Sequence, residues 1–165
     1  MKSNGLKRAF KALLLRLRRR WLAERKHPRR VRLANIAEGT HDGNITKASD
    51  AVITERYLLA KIGSASDRIN VCAAADTPVG VITDEAAAIG DLVNVSLLGS
   101  SRTTVRMVAS AAVAQGSLLE PAASGRIATL GSGAGTHHVV GRALDTAIAA
   151  GDVIEVDPFY FLRVI

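Results

Sequence analysis

The chain has 165 residues, 22 Lys+Arg against 15 Asp+Glu, one cysteine, and 48% hydrophobic but only 4% aromatic content. That length holds one ordinary domain with an appendage and falls short of the roughly 250 residues of a typical α/β-barrel enzyme. A single cysteine excludes an internal disulfide framework, no apolar run approaches the ~18 residues of a bilayer-spanning helix, and the apolar fraction argues against wholesale disorder.

The charge is unevenly placed. Residues 1–32 carry thirteen basic side chains and one acid, Glu24, a net of +12, whereas the other 133 residues carry nine basic and fourteen acidic ones, a net of −5. A basic arm on a mildly acidic body points to an acidic partner for the arm. Within the arm Leu6, Phe10, Leu13, Leu14, Leu17 and Trp21 fall in an arc of roughly 100° at helical periodicity. Most of the cations, among them Lys11, Arg16, Arg18, Arg19, Arg20, Arg25, Arg29 and Arg30, lie outside it. Ser3 or Asn4 supplies an N-cap and Pro28 a stop, so the pattern predicts an amphipathic helix of about six turns. Arg16 interrupts the leucines too early for a secretory signal, although an organelle presequence shares this composition. Backbone ordering costs more than one apolar stripe returns, so the helix needs a surface. These fourteen residues form the expected partner-binding set.

From residue 33 the texture changes to short apolar stretches separated by Gly, Asp, Ser and Thr, and a repeat emerges. Val79–Val95 (VGVITDEAAAIGDLVNV) aligns without a gap on Val140–Val156 (VGRALDTAIAAGDVIEV) at an offset of 61, with eight of seventeen positions identical. Upstream, AVITERYLL at 51–59 matches AVAQGSLLE at 112–120 more weakly. The sequence thus divides into an arm, 1–32, and a duplicated β domain, 33–165, with units of about 51–99 and 112–157. Val93, Val95 and Leu97 alternate with Asn94 and Ser96, as a half-buried strand requires. Such short segments between turn signals predict an antiparallel β-sandwich or barrel. The Ala-rich stretches between Gly boundaries are too short for more than one helical turn. Tyr57 is the only aromatic between residues 33 and 158, so Val, Ile, Leu and Ala must fill the core. The closing FYFLRVI reads as a final apolar strand, with Phe159, Tyr160 and Phe161 as the expected oligomer contact.

No catalytic constellation emerges. Asp84/Asp145 and Asp91/Asp152 recur at matched positions, but Asp beside Gly ordinarily completes a tight turn. His137 and His138 are adjacent, so on a strand they face opposite ways and do not chelate together. Cys72, His27 and His41 sit in no nucleophile motif. The run Gly131–Gly135 lacks the Gly-Lys-Ser/Thr ending of a phosphate loop, as does Gly99–Arg102. The sequence therefore predicts no enzyme, no cofactor and no metal. The arm's cations suit phosphates or an anionic membrane, but the body is acidic and lacks aromatic platforms for bases.

The body resembles the small capsid decoration, or head-stabilising, proteins of tailed bacteriophages. The likeness runs through Ala34–Gly63, Pro78–Gly99, Arg106–Leu130 and Val139–Pro158, and is most specific in VGRAL and AAGDVIEVDP. It implies a non-enzymatic, β-rich protein of β-tulip or β-clip type on the outer surface of an assembled capsid. The expected partners are the major capsid protein and further copies of itself, as a homotrimer, with synthesis in the host bacterial cytoplasm. Residues 1–32 are the departure, because proteins of this kind often begin near the equivalent of Ala34. The alternative is an oligomeric binding module whose arm binds nucleic acid or an anionic membrane.

Overall fold

A computed structural model describes residues 43–165; the helix expected over residues 1–32 lies outside them. The described chain is mainly β. Its strands are β1 (Asn44–Ser49), β2 (Leu58–Ile62), β3 (Arg68–Val71), β4 (Gly80–Ile82), β5 (Leu92–Leu97), β6 (Val105–Val108), β7 (Leu118–Pro121), β8 (Ile127–Thr129), β9 (Thr136–Ala143) and β10 (Val153–Val164). A single 3-10 turn, Ala123–Gly125, precedes β8. Alternation decides which face is inside. In β5 Val93 and Val95 are buried while Leu92 faces outward, and in β10 Ile154, Val156 and Pro158 point in while Val153, Glu155 and Asp157 point out.

The first five strands close into a barrel in the order β1-β3-β2-β4-β5, and the second five form a sheet in the order β6-β10-β9-β7-β8. A parallel bridge between Ala109 and Ile127 joins the outer strands of that sheet. The pairing is not purely antiparallel as expected, because β1 runs parallel to β3 (Ala48↔Arg68, Ser49↔Ile69).

Pairings in the first set recur in the second. Gly80↔Leu97 and Ile82↔Val95 have counterparts in Gly141↔Pro158 and Ala143↔Val156. Ala48↔Leu92 matches Val108↔Val153, and the Ser49↔Ile69 parallel contact matches Ala109↔Ile127. The bridge Ile53↔Ala86 returns as Val113↔Ala147. This register corrects the gap-free upstream alignment. Val113 corresponds to Ile53, not Val52, because Ile53 and Val113 are the buried residues while Val52 is exposed. In the same way Leu118, opposite Arg142, corresponds to Leu59, opposite Val81.

The two sets share their interior. One buried cluster unites Leu59, Cys72 and Val81 from the first five strands with Met107, Leu119, Ile127, Val140, Ile154 and Val156 from the second. The other contains Val108 of β6 among Ile53, Ile69, Ile82, Val93 and Val95. Polar contacts cross the same joint. Gly125 donates its N–H to the Cys72 carbonyl at 2.7 Å, Val108 to that of Tyr57 at 3.3 Å, and Arg126 pairs with Glu55 at 3.1 Å. Tyr57 packs against both clusters in a left-handed conformation, φ 66°. A non-glycine residue holds that conformation only where its surroundings enforce it, and here both its N–H and C=O are bonded.

Candidate interaction surface

The recurring carboxylates accept backbone N–H groups, and Asp91 and Asp152 close turns in doing so. Asp91 Oδ2 accepts the Ala88 N–H at 2.8 Å, and Asp152 Oδ2 accepts those of Ile148 and Ala149 at 2.7 and 2.9 Å. Asp84 accepts the Asn94 N–H, and Asp145 that of Thr146. Among the described residues no group of three or more His, Cys, Asp or Glu side chains gathers to hold a metal. Cys72 is fully buried, and desolvation, with Asp76 adding to it, pushes its thiol up to about 12. The thiolate that a nucleophile needs is therefore suppressed.

Among the described residues, a run of exposed apolar side chains lies on the ribbon formed by the last strand and its partner. The sequence presented Val153–Val156 and the closing aromatic stretch as separate strands. They are instead one twelve-residue strand, β10, with a register irregularity between Pro158 and Phe161. Proline cannot donate to a ladder, and such irregularities are where a strand tolerates it. Pairing with β6 ends at Val156, while pairing with β9 continues through Phe161↔Val139, Leu162↔His138, Arg163↔His137 and Val164↔Thr136. Two reciprocal bonds between Gly135 and Ile165, each 3.0 Å, close the tip.

The expected contact residues fall on this ribbon. The Phe159 and Phe161 rings stack at 5.7 Å on one face, while Tyr160 stacks on His138 at 5.9 Å and shares a 2.8 Å hydrogen bond with its Nδ1. Phe159 is half-buried, and Tyr160 and Phe161 are exposed. Leu162, Val164 and Ile165, expected in the same apolar strand but not among the named contact residues, extend the apolar surface.

His137 and His138 diverge, as adjacent strand residues must. His137 Nδ1 lies 2.7 Å from Glu120 Oε2, and its Nε2 lies 2.9 Å from the Gly133 carbonyl. Acceptors at both nitrogens are satisfied together only by the imidazolium. The Glu120 bond first, then the Gly133 bond, raises the His137 pKa against partial desolvation, and Arg163 opposes the shift. Glu120 also accepts the Gly131 N–H, so the glycine-rich loop is pinned at two points. The sequence gives no sign of this partnership, because Glu120 is seventeen positions away. A cleft of about 320 Å3 opens beside it, lined by Ala74, Ala75, Glu120, Thr136 and the two histidines.

The sign of the pH dependence follows. A raised folded pKa makes the contact fully stabilising below the ordinary histidine value of about 6.5, and the contribution disappears as pH climbs through the folded value. The urea midpoint is expected to fall as pH rises through that window, and His137→Gln is expected to flatten the slope. Imidazole titration by NMR provides the folded pKa directly.

The fourteen arm residues of the expected partner-binding set lie outside the described residues. No family model matches the chain, and no curated protein matches it in sequence. Among solved structures it is similar to the head fiber gp8.5 N base of bacteriophage phi29, at 19% identity, covering 68% of this chain and 90% of that one, with a TM-score of 0.54. At that identity the likeness is one of fold.

Proposed function

We propose that the chain is a non-enzymatic structural protein of a tailed-phage virion, bound to the outer surface of the assembled head, which it stabilises in the manner of a decoration protein. The observation that carries this reading is the fold shared with a phage head fiber base. It is supported by an interior spent on interlocking two strand sets and by an apolar ribbon at the surface. The recurring register supports an origin by duplication of one five-stranded module. Copies associate, as a homotrimer, through Phe159, Tyr160 and Phe161. The arm, through its apolar stripe and its cations, contacts the major capsid protein or a neighbouring copy, and binding supplies its order.

The test mixes purified full-length chain with empty heads lacking it and measures co-sedimentation at physiological salt. A second arm uses the chain without residues 1–32. Saturable binding of the full-length chain, weakened at least tenfold by the deletion, is the expected result. Unchanged occupancy would remove the arm from attachment. Absence of binding to heads, with salt-sensitive binding to DNA or anionic vesicles, would favour the alternative that the +12 arm suggests, an oligomeric module on nucleic acid or a membrane.

A further inference from the structure

Each strand set carries the same rigid corner before its last strand. In the first, Ser49 donates to the Asp91 carbonyl and accepts from the Gly90 N–H; in the second, Ala109 does the same with Asp152 and Gly151. The Asp91 and Asp152 side chains hold the corners closed, and the two backbone bonds on Asp152 keep its carboxyl below the usual range and hence charged. What these fixed corners display is apolar. Ile89 and Leu92 are 66% and 72% exposed in the first, and Ile148 and Val153 are 85% and 47% exposed in the second.

Single exposed apolar side chains are ordinary on protein surfaces. Here Leu92 and Val153 recur at matched positions, and Ile89 and Ile148 stand two places apart on the aligned turns, on backbone that is tied down and within segments that carry acids and no bases. The segment 83–92 holds Asp84, Glu85 and Asp91 and no base, and the segment 144–153 holds Asp145 and Asp152 and no base. Arg56, 3.2 Å from Glu85, offsets one of these charges, and Arg68 donates to the Ser49 carbonyl at 3.2 Å. A chain of contacts connects the two corners: Ile53 bridges Ala86, Glu55 meets Arg126, and Ile127 bridges Ala109.

We propose that the two corners form a paired docking surface, each seated in an apolar pocket with a basic rim, on two adjoining copies of one shell subunit. This rests on the virion reading above and names a surface of the β domain that shares the attachment with the arm. An acid-flanked apolar tip is complementary to such a rim. Corners already fixed by their own hydrogen bonds lose little freedom on binding. Two near-equivalent tips on one body suit a partner that presents the same pocket twice, because the second contact then forms at high effective concentration.

The experiment measures binding of the full-length chain to empty heads lacking it, for the wild type, Leu92→Ser, Ile148→Ser and the double variant. All four positions at the corners are exposed, so thermal unfolding is expected to stay unchanged and to certify the fold. Each single variant is expected to lose about tenfold in affinity, the scale of one buried aliphatic side chain, and the double variant to lose about a hundredfold. Wild-type affinity is expected to drop as salt rises. If the wild type binds and the double variant binds equally well, the corners are not the docking surface. If the wild type does not bind heads, the virion reading fails and takes this proposal with it.

Discussion

Gly125→Ala is expected to destabilise the protein more than alanine at any other glycine compared with it here, by roughly 2–6 kcal/mol, from about 1–3 for a left-handed non-glycine residue and about 1–3 for overpacking. Gly125 has φ +71°, and a Cβ there would stand 2.6 Å from Val71 Cγ1, 2.9 Å from Leu58 Cβ and 3.1 Å from the Leu59 carbonyl. The same residue donates the bond to Cys72 across the joint, so it can withdraw only by giving up that bond. Two controls separate the causes. Gly116 has φ +83° with open space around it, so Gly116→Ala reports backbone conformation alone. Gly133 also has open space, and Gly133→Ala is expected to fall within about 0.5 kcal/mol of the wild type. Urea midpoints at constant slope measure all three. A Gly125→Ala loss no larger than that of Gly116→Ala would mean that the two strand sets do not meet closely at this point.

The residues at that joint show what a sequence can and cannot disclose. The class of fold is legible because alternation in β5 and β10 is a local property, carried by Val93 and Val95 against Leu92 and Asn94, although Ser96, expected outside, is buried. The recurrence at an offset of 61 is legible where the chain makes its Gly-Asp corners, since those positions are fixed by turn chemistry and tolerate few residue types. Strands β1 and β6 are not, because NITKAS is mostly polar, VRMV is only four residues long, and their partners, β5 and β10, lie far along the chain. The parallel contact of β1 with β3 has no local signature at all. Nor does the role of Tyr57, the lone aromatic of that stretch, which the structure holds in a left-handed conformation against both clusters.

The surface divides in the same way. Phe159, Tyr160 and Phe161 stand out in a chain with so few aromatics, and the ribbon carries all three, the phenylalanines stacked on each other and Tyr160 on His138. The pinning of the Gly131–Gly135 loop by Glu120 and His137 depends on tertiary placement, so the loop reads as flexible from composition while its carbonyl and amide groups are engaged. The corner residues Leu92 and Val153 look like core, since each opens an apolar strand, and only the facing of the first strand residue makes them exposed. Alternation predicts that one of each adjacent pair faces outward, but not that the outward one is kept apolar.

Leu59→Ala is expected to cost about 2–5 kcal/mol, the usual range for emptying a fully buried leucine site, and to do so for both strand sets at once. Leu59 belongs to β2 of the closed barrel, yet its cluster is filled chiefly by the second set, with Met107, Leu119, Ile127 and Ile154 all buried. Val108 makes the reciprocal insertion into the first set. Two modules that merely adjoined would unfold in separate steps, and a cavity in the first would leave amide exchange in β9 and β10 untouched. Interleaved clusters predict the opposite: one cooperative transition, shifted as a whole, with exchange in β9 and β10 accelerated by the same factor as in β2 and β4. Calorimetry combined with residue-resolved hydrogen exchange distinguishes the two. A second transition appearing in Leu59→Ala, with β9 and β10 protected as in the wild type, would show that the sets fold independently. It would also mean that the two corners are joined by a compliant link, which would weaken the case for a paired attachment.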